Sequence, residues 1–183
     1  MNKTPQHFSK TIAENEVRLQ MMFAFIALKN IEKKSKRNKC TVFSSLHSFL
    51  THCANISKLL WSGKDRRGNY VGVHKMLDQD LADLLGLSAE NFSLLKNKSF
   101  RNDLDHYDER LVEWIKQASQ SSLPVCDCVI GTKNGEPTFY IRHYDPNTEI
   151  FTFMNRELDI NAMKSELLEL NKVINGIDLS SIL

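Results

Sequence analysis

From about Phe8 to Glu32, apolar residues recur at Ile12, Val17, Leu19, Met21, Met22, Phe25, Ile26, Leu28 and Ile31 with no Gly or Pro. This pattern predicts one long, substantially buried helix. A second apolar set, Phe43, Leu46, Phe49, Leu50, Ile56, Leu59, Leu60 and Trp61, predicts another from roughly Val42 to Trp61. Between them, the stretch from Lys29 to Lys39 holds six Lys or Arg against one Glu and finishes the first helix. Ser62 to Gly72, with three glycines, three basic residues and no sustained apolar period, reads as a loop. A short helix follows over Asp78 to Leu85. Ser88 then stands as an N-cap before a long segment, helical from about Asn91 to Ala118.

After Pro124 the period changes. Val125 to Ile130, Thr138 to Tyr144 and Glu149 to Met154 are short β-branched or aromatic runs, separated by the turn sequences Asn134-Gly135 and Asp145-Pro146-Asn147. They predict a three-stranded antiparallel meander. Asp159 is placed to cap a final helix whose apolar positions, Ile160, Met163, Leu167, Leu170 and Ile174, cover one face of that sheet. The expectation is therefore a mainly α chain, with a helical bundle over residues 1–120 and a small meander plus one helix over 124–183.

At 183 residues there is room for one domain with a full core, or one domain and a small appendage. The net charge of +2 leaves any attraction to nucleic acid to local patches. The most apolar run, Met21 to Leu28, is too short to span a bilayer and reads as buried helix, so no membrane association is expected. Cys40, Cys53, Cys126 and Cys128 are expected as free thiols in a reducing, cytoplasmic setting.

Several familiar signals fail on inspection. Gly63-Lys64 lacks the Gly and the Ser or Thr of a phosphate loop, since those positions are Lys58 and Asp65. Cys126 and Cys128 alternate on a strand, but one Cys-X-Cys is read as two strand thiols rather than a metal site. His47 and His52, five apart, do not share a helix face as zinc ligands do and are read as structural. No metal or cofactor is expected.

The informative segment runs from Phe100 to Trp114. Phe100, Leu104, Tyr107, Leu111, Trp114, Ile115 and Ala118 recur at three and four, predicting a stripe toward the core. Arg101, Asn102, Asp105, His106, Glu109, Arg110 and Glu113 then project from the other side, with Asn102 and His106 one turn apart. On spacing alone this is the solvated face of an amphipathic helix, laced with pairs such as Arg101 with Asp105, and His106 with Arg110 or Glu109.

The residue types suggest more. Arg101-Asn102, three residues and His106 resemble the signature of the HEPN superfamily, and the run on through Asp108-Glu109-Arg110-Leu111 looks like that of a group of bacterial HEPN-like proteins. The resemblance covers approximately residues 8 to 120. It implies a HEPN-like helical bundle and, in active members, a metal-independent ribonuclease working as a homodimer whose paired motifs line a cleft between subunits. Arg101 and His106 would then be catalytic, with Asn102 supporting. Cleavage by a ribose 2′-OH needs a proton acceptor, a proton donor and fixed positive charge; histidine titrates near neutrality and arginine stays charged. Lys33, Lys34, Lys36 and Arg37, with Lys64, Arg66 and Arg67, are the candidate RNA contacts.

Two features oppose activity. Asp103, Asp105, Asp108 and Glu109 crowd the motif with negative charge, and a spacing of five sets Arg101 and His106 about 140° apart around a helix. The alternative is a non-catalytic HEPN-like module for dimerisation or a protein partner; a nucleotide-binding accessory protein is more remote.

Overall fold

The computed structural model describes residues 5–34, 38–61, 64–88, 90–97, 102–103, 105–133 and 135–180, the side chains of 5–6 and 32–34 excepted. Two long helices dominate: α1, Pro5–Lys34, and α2, Lys39–Leu60. Asn38 caps α2, its side-chain oxygen accepting from the Thr41 N–H at 3.2 Å, which satisfies one of the free donors of the first turn. The pair is antiparallel, with Gln20 of α1 reaching His52 and Asn55 of α2.

The short helix expected over Asp78 to Leu85 is instead two, α3 (Val73–Leu77) and α4 (Leu81–Leu84). Asp78 takes a left-handed conformation, φ 58°, and breaks the backbone between them. The long helix expected from Asn91 to Ala118 is likewise absent. In its place stand α5, Ser93–Lys96, and α6, Tyr107–Ser119. Asn97 is extended and ends α5, whose first amides are held by a distant group: Glu166 accepts from the N–H of Leu94 at 3.0 Å and of Leu95 at 2.8 Å. The expected stripe is only partly realised on α6. Trp114 and Ala118 are buried, Ile115 lies at its edge and is half exposed, and Phe100 and Leu104 lie outside the described residues.

The strands are β1 Val125–Cys126, β2 Val129–Ile130, β3 Phe139–Tyr140, β4 Arg142–Asp145, β5 Ile150–Phe153 and β6 Arg156–Asp159. The three-stranded antiparallel meander is corrected in two ways. β1 pairs with β3, and β2 with β4, in parallel; both pairings share one register offset, Val125 with Phe139 and Val129 with His143. The connection from β2 to β3 therefore belongs to a parallel crossover and not to a hairpin, and Asn134 of the expected turn lies outside the described residues. A kink at Cys128, φ 54°, splits this parallel ladder in two. The second correction is β6, a strand where only a connection to the last helix was expected. It closes the four-stranded sheet β2-β4-β5-β6, whose last three strands are antiparallel.

The final helix, α7, Ile160–Val173, starts where the capping residue indicates, Asp159 accepting from the Ala162 N–H at 2.8 Å. Its predicted apolar positions, from Ile160 to Ile174, are all buried. They join more than the sheet: one hydrophobic cluster runs from Val17 and Phe25 of α1 through Phe49 and Ile56 of α2 to Phe151, Phe153, Met163 and Leu167. The bundle and the C-terminal strands therefore share a core.

His47, half-buried, packs against that core, edge-on to Phe151 and Phe153 at 6.1 and 5.2 Å between ring centres. Burial holds its pKa below the usual 6.5, as burial does for His52 and His143. Well above pH 6.5 these three histidines are neutral in both folded and unfolded chains and cost nothing. Below it the unfolded chain takes up protons first, so stability should fall progressively from pH 6.5 down through the lowered folded values. Urea unfolding at several pH values between about 7.5 and 5, above most carboxylate titration, should show this slope, and His47→Phe should flatten it. An equally steep slope in that variant would remove His47 from the account.

Candidate functional site around His106

Asn102, Asp103 and Asp105 are helical, and the His106 N–H donates to the Asn102 carbonyl at 2.9 Å. At His106 the backbone leaves the helix, φ −116° and ψ 42°, and α6 begins one residue later. The His106 carbonyl accepts the first bond of α6 from Arg110 at 3.0 Å, while its side chain caps nothing. That frees the imidazole. Its side chain is 56% exposed, with Nδ1 3.7 Å from the Glu109 carboxylate. Of the two partners expected for His106, Glu109 is the one that approaches.

Arg110 is engaged elsewhere. Its Nη1 donates to Glu113 at 2.8 Å, and its Nε lies 3.2 Å from Asp103. Glu113 is the main reason the guanidinium is held even more firmly charged than usual. Asp103 is buried, and its other oxygen accepts from Arg156 of β6 at 2.6 Å. A buried carboxylate held by two arginines fastens the motif's turn to the sheet. Below it, Tyr107 stacks on Phe153 at 5.9 Å and Trp114 meets Phe139 edge-on at 6.0 Å. Asp105 is exposed and accepts from Lys58, in the last turn of α2, at 2.7 Å. The four crowding carboxylates therefore differ: Asp103 and Asp105 have cationic partners, whereas Asp108 and Glu109 stand exposed toward solvent.

Asn102 and His106 are thus brought together. Arg101, Lys36 and Arg37 lie outside the described residues, as do the side chains of Lys33 and Lys34. Lys64, Arg66 and Arg67 are exposed on a separate loop closed by a bridge between Lys64 and Tyr70. Asp65 organises that loop, accepting from the amides of Arg67 and Asn69 at 2.8 and 2.9 Å. A hydrogen bond from the Asn69 side chain is the largest of the effects that lower its pKa. Lys58 and Arg156 are the contributors that sequence reasoning missed. Both are distant in the chain from the residues they hold, and no local pattern marks either.

All four cysteines are free thiols. The kink at Cys128 ends the regular alternation that would have put Cys126 and Cys128 on one strand face, and among the described residues no cluster of His, Cys, Asp and Glu has a metal-holding arrangement. No helix among the described residues is long and apolar enough to cross a membrane. Comparison of the chain with protein-family models, with curated proteins and with solved structures gave no match in any of the three.

Proposed function

We propose that this protein is a HEPN-like, metal-independent endoribonuclease acting as a homodimer, with His106 as proton carrier, Arg101 holding the scissile phosphate and Asn102 supporting. The reading rests on the Arg101-Asn102-x3-His106 spacing and is favoured above all by the presentation of His106. Its imidazole is exposed at a helix start, beside a carboxylate, on a turn whose own acidic residues Asp103 and Asp105 are already paired. Pairing them weakens the repulsion that four free carboxylates would exert on an RNA backbone.

In this scheme one His106 takes the proton of a ribose 2′-OH as that oxygen attacks the adjacent phosphorus. The bond to the 5′-oxygen breaks, and the second protomer's His106 protonates that leaving oxygen. Arg101 offsets the charge of the phosphorane. Lys33, Lys34, Lys36, Arg37, Lys64, Arg66 and Arg67 are the candidate backbone contacts. The products are a 2′,3′-cyclic phosphate and a 5′-hydroxyl. Incubating the protein with single-stranded RNA and with DNA of the same sequence, in excess chelator, tests this: RNA alone should be cut, leaving those ends. Cleavage of both, or 3′-hydroxyl ends, would rule the mechanism out, because a 2′-OH nucleophile cannot act on DNA.

A second reading, a non-catalytic module that docks a partner through the same region, is favoured by α6. Val112 and Ile115 are half exposed there, among the exposed carboxylates of Asp108, Glu109 and Glu113. Intact RNA under every condition would leave this reading as the better account.

A further inference from the structure

The long helix α1 has two apolar faces, and only one of them meets the core. Val17, Met21, Ala24, Phe25 and Leu28 are buried against the rest of the chain. On the opposite side Phe8, Ile12, Leu19 and Ile26 stand 62, 53, 39 and 43% exposed. Ile12, Leu19 and Ile26 are seven residues apart, the spacing that keeps side chains in phase along a seam between two helices. Asn15 and Asn30 continue this outward strip, so from Phe8 to Asn30 it carries no formal charge. The charges of α1 lie off this strip: Lys10, Glu14 and Arg18 form a ladder at 3.5 and 3.7 Å, and Lys10 and Arg18 donate back to the carbonyls of Leu84 and Ile174. A solvated helix face ordinarily carries such charges itself.

The strip also has a shape. Its N-terminal part projects, through Phe8 and Ile12. Beside its C-terminal part lies a groove of about 400 Å³ between α1 and α2, lined by residues that include Phe23, Ile26, Asn30, Ser44 and Ser48. None of its lining residues is Asp, Glu, Lys or Arg. Leu19 lies midway between projection and groove.

We infer that this face binds a second copy of the same chain, the two α1 helices crossing antiparallel about an axis at Leu19. A two-fold interface must be complementary to itself. Here an antiparallel copy brings each projection onto the other's groove and sets an uncharged strip against an uncharged strip. From Phe8 to Ile26 the seam is about 27 Å long, which places the contact at the small end of specific interfaces. The inference rests on no part of the ribonuclease reading, which concerns other residues.

Sedimentation at tens of micromolar, roughly where a small interface becomes populated, should give a mass for Leu19→Glu half that of the unaltered protein. Ile12→Glu should do the same, with unchanged circular dichroism in both. In a Cys40→Ser background, Leu19→Cys should form an intermolecular disulfide under mild oxidation. Ile12→Cys alone should not, but should crosslink when mixed with Ile26→Cys. An unaltered protein that is monomeric at this concentration, or folded Leu19→Glu and Ile12→Glu variants of undiminished mass, would overturn the inference. So would crosslinking of Ile12→Cys to itself, which indicates parallel helices. A monomeric unaltered protein would overturn both this inference and the dimeric ribonuclease reading, whereas undiminished mass in folded Leu19→Glu overturns this inference alone and undiminished cleavage in His106→Ala overturns the ribonuclease reading alone.

Discussion

His106→Ala is expected to lower RNA cleavage by about 10²- to 10⁴-fold, the range associated with loss of a proton-transfer group, with the fold unchanged. The side chain is more than half exposed, packs into no core and makes no cap bond, so its removal leaves no cavity. Stability should stay within roughly 0.5 kcal/mol, as for ordinary surface changes. The comparison that decides is a time course in chelator, with variant and parent purified identically. Equal residual cleavage would identify a contaminating nuclease and leave the binding module as the better account. If cleavage is lost, mixing His106→Ala with Arg101→Ala becomes informative. Such mixed dimers hold a single His106, so a cleft that needs the His106 of both protomers should stay inactive in them, and recovery of activity would mean that one His106 is enough.

Phe153→Ala should cost about 3–5 kcal/mol, the range for truncating a large buried aromatic side chain. Phe153 is 1% exposed and touches three parts of the fold at once. It meets His47 of α2 at 5.2 Å, Phe151 of its own strand at 6.1 Å and Tyr107, next to the candidate catalytic residue, at 5.9 Å. Because the bundle and the strands share a core, the loss should appear as a lower midpoint of one unfolding transition. Denaturant unfolding followed by both tryptophan fluorescence and circular dichroism would test this. A variant in which the helical signal keeps its midpoint while the strands melt early would mean that the sheet is an independent appendage. The same substitution should weaken any His106 activity more than its effect on stability alone accounts for, since the Tyr107 stack supports the turn.

The parts of this fold legible in the sequence are those governed by local rules. The two long helices follow from uninterrupted apolar periodicity, and the start of the last helix from Asp159 placed before Ile160 and Met163. Asn102 and His106 lie one turn apart as their spacing requires. The continuous helix expected through His106 fails for a physical reason. The stripe from Phe100 to Ala118 satisfies a helical period, but periodicity alone does not register what interrupts a helix. Asn97 is extended, and the first amides of α5 are held by Glu166, which stands far away in the chain.

Local patterns in the chain thus account for the mainly α character, the two long helices and the capped final helix. Each depends on residues within a few positions of one another, where propensity, capping and side-chain period act directly. Tertiary structure alone decided the parallel pairing of the early strands, the extra strand β6, the burial of Asp103 between Arg156 and Arg110, and the pairing of Asp105 with Lys58. It also decided which side of α1 faces solvent, since the sequence carries apolar residues on both. These outcomes depend on which distant surfaces meet when the shared core closes, and no local pattern encodes that meeting.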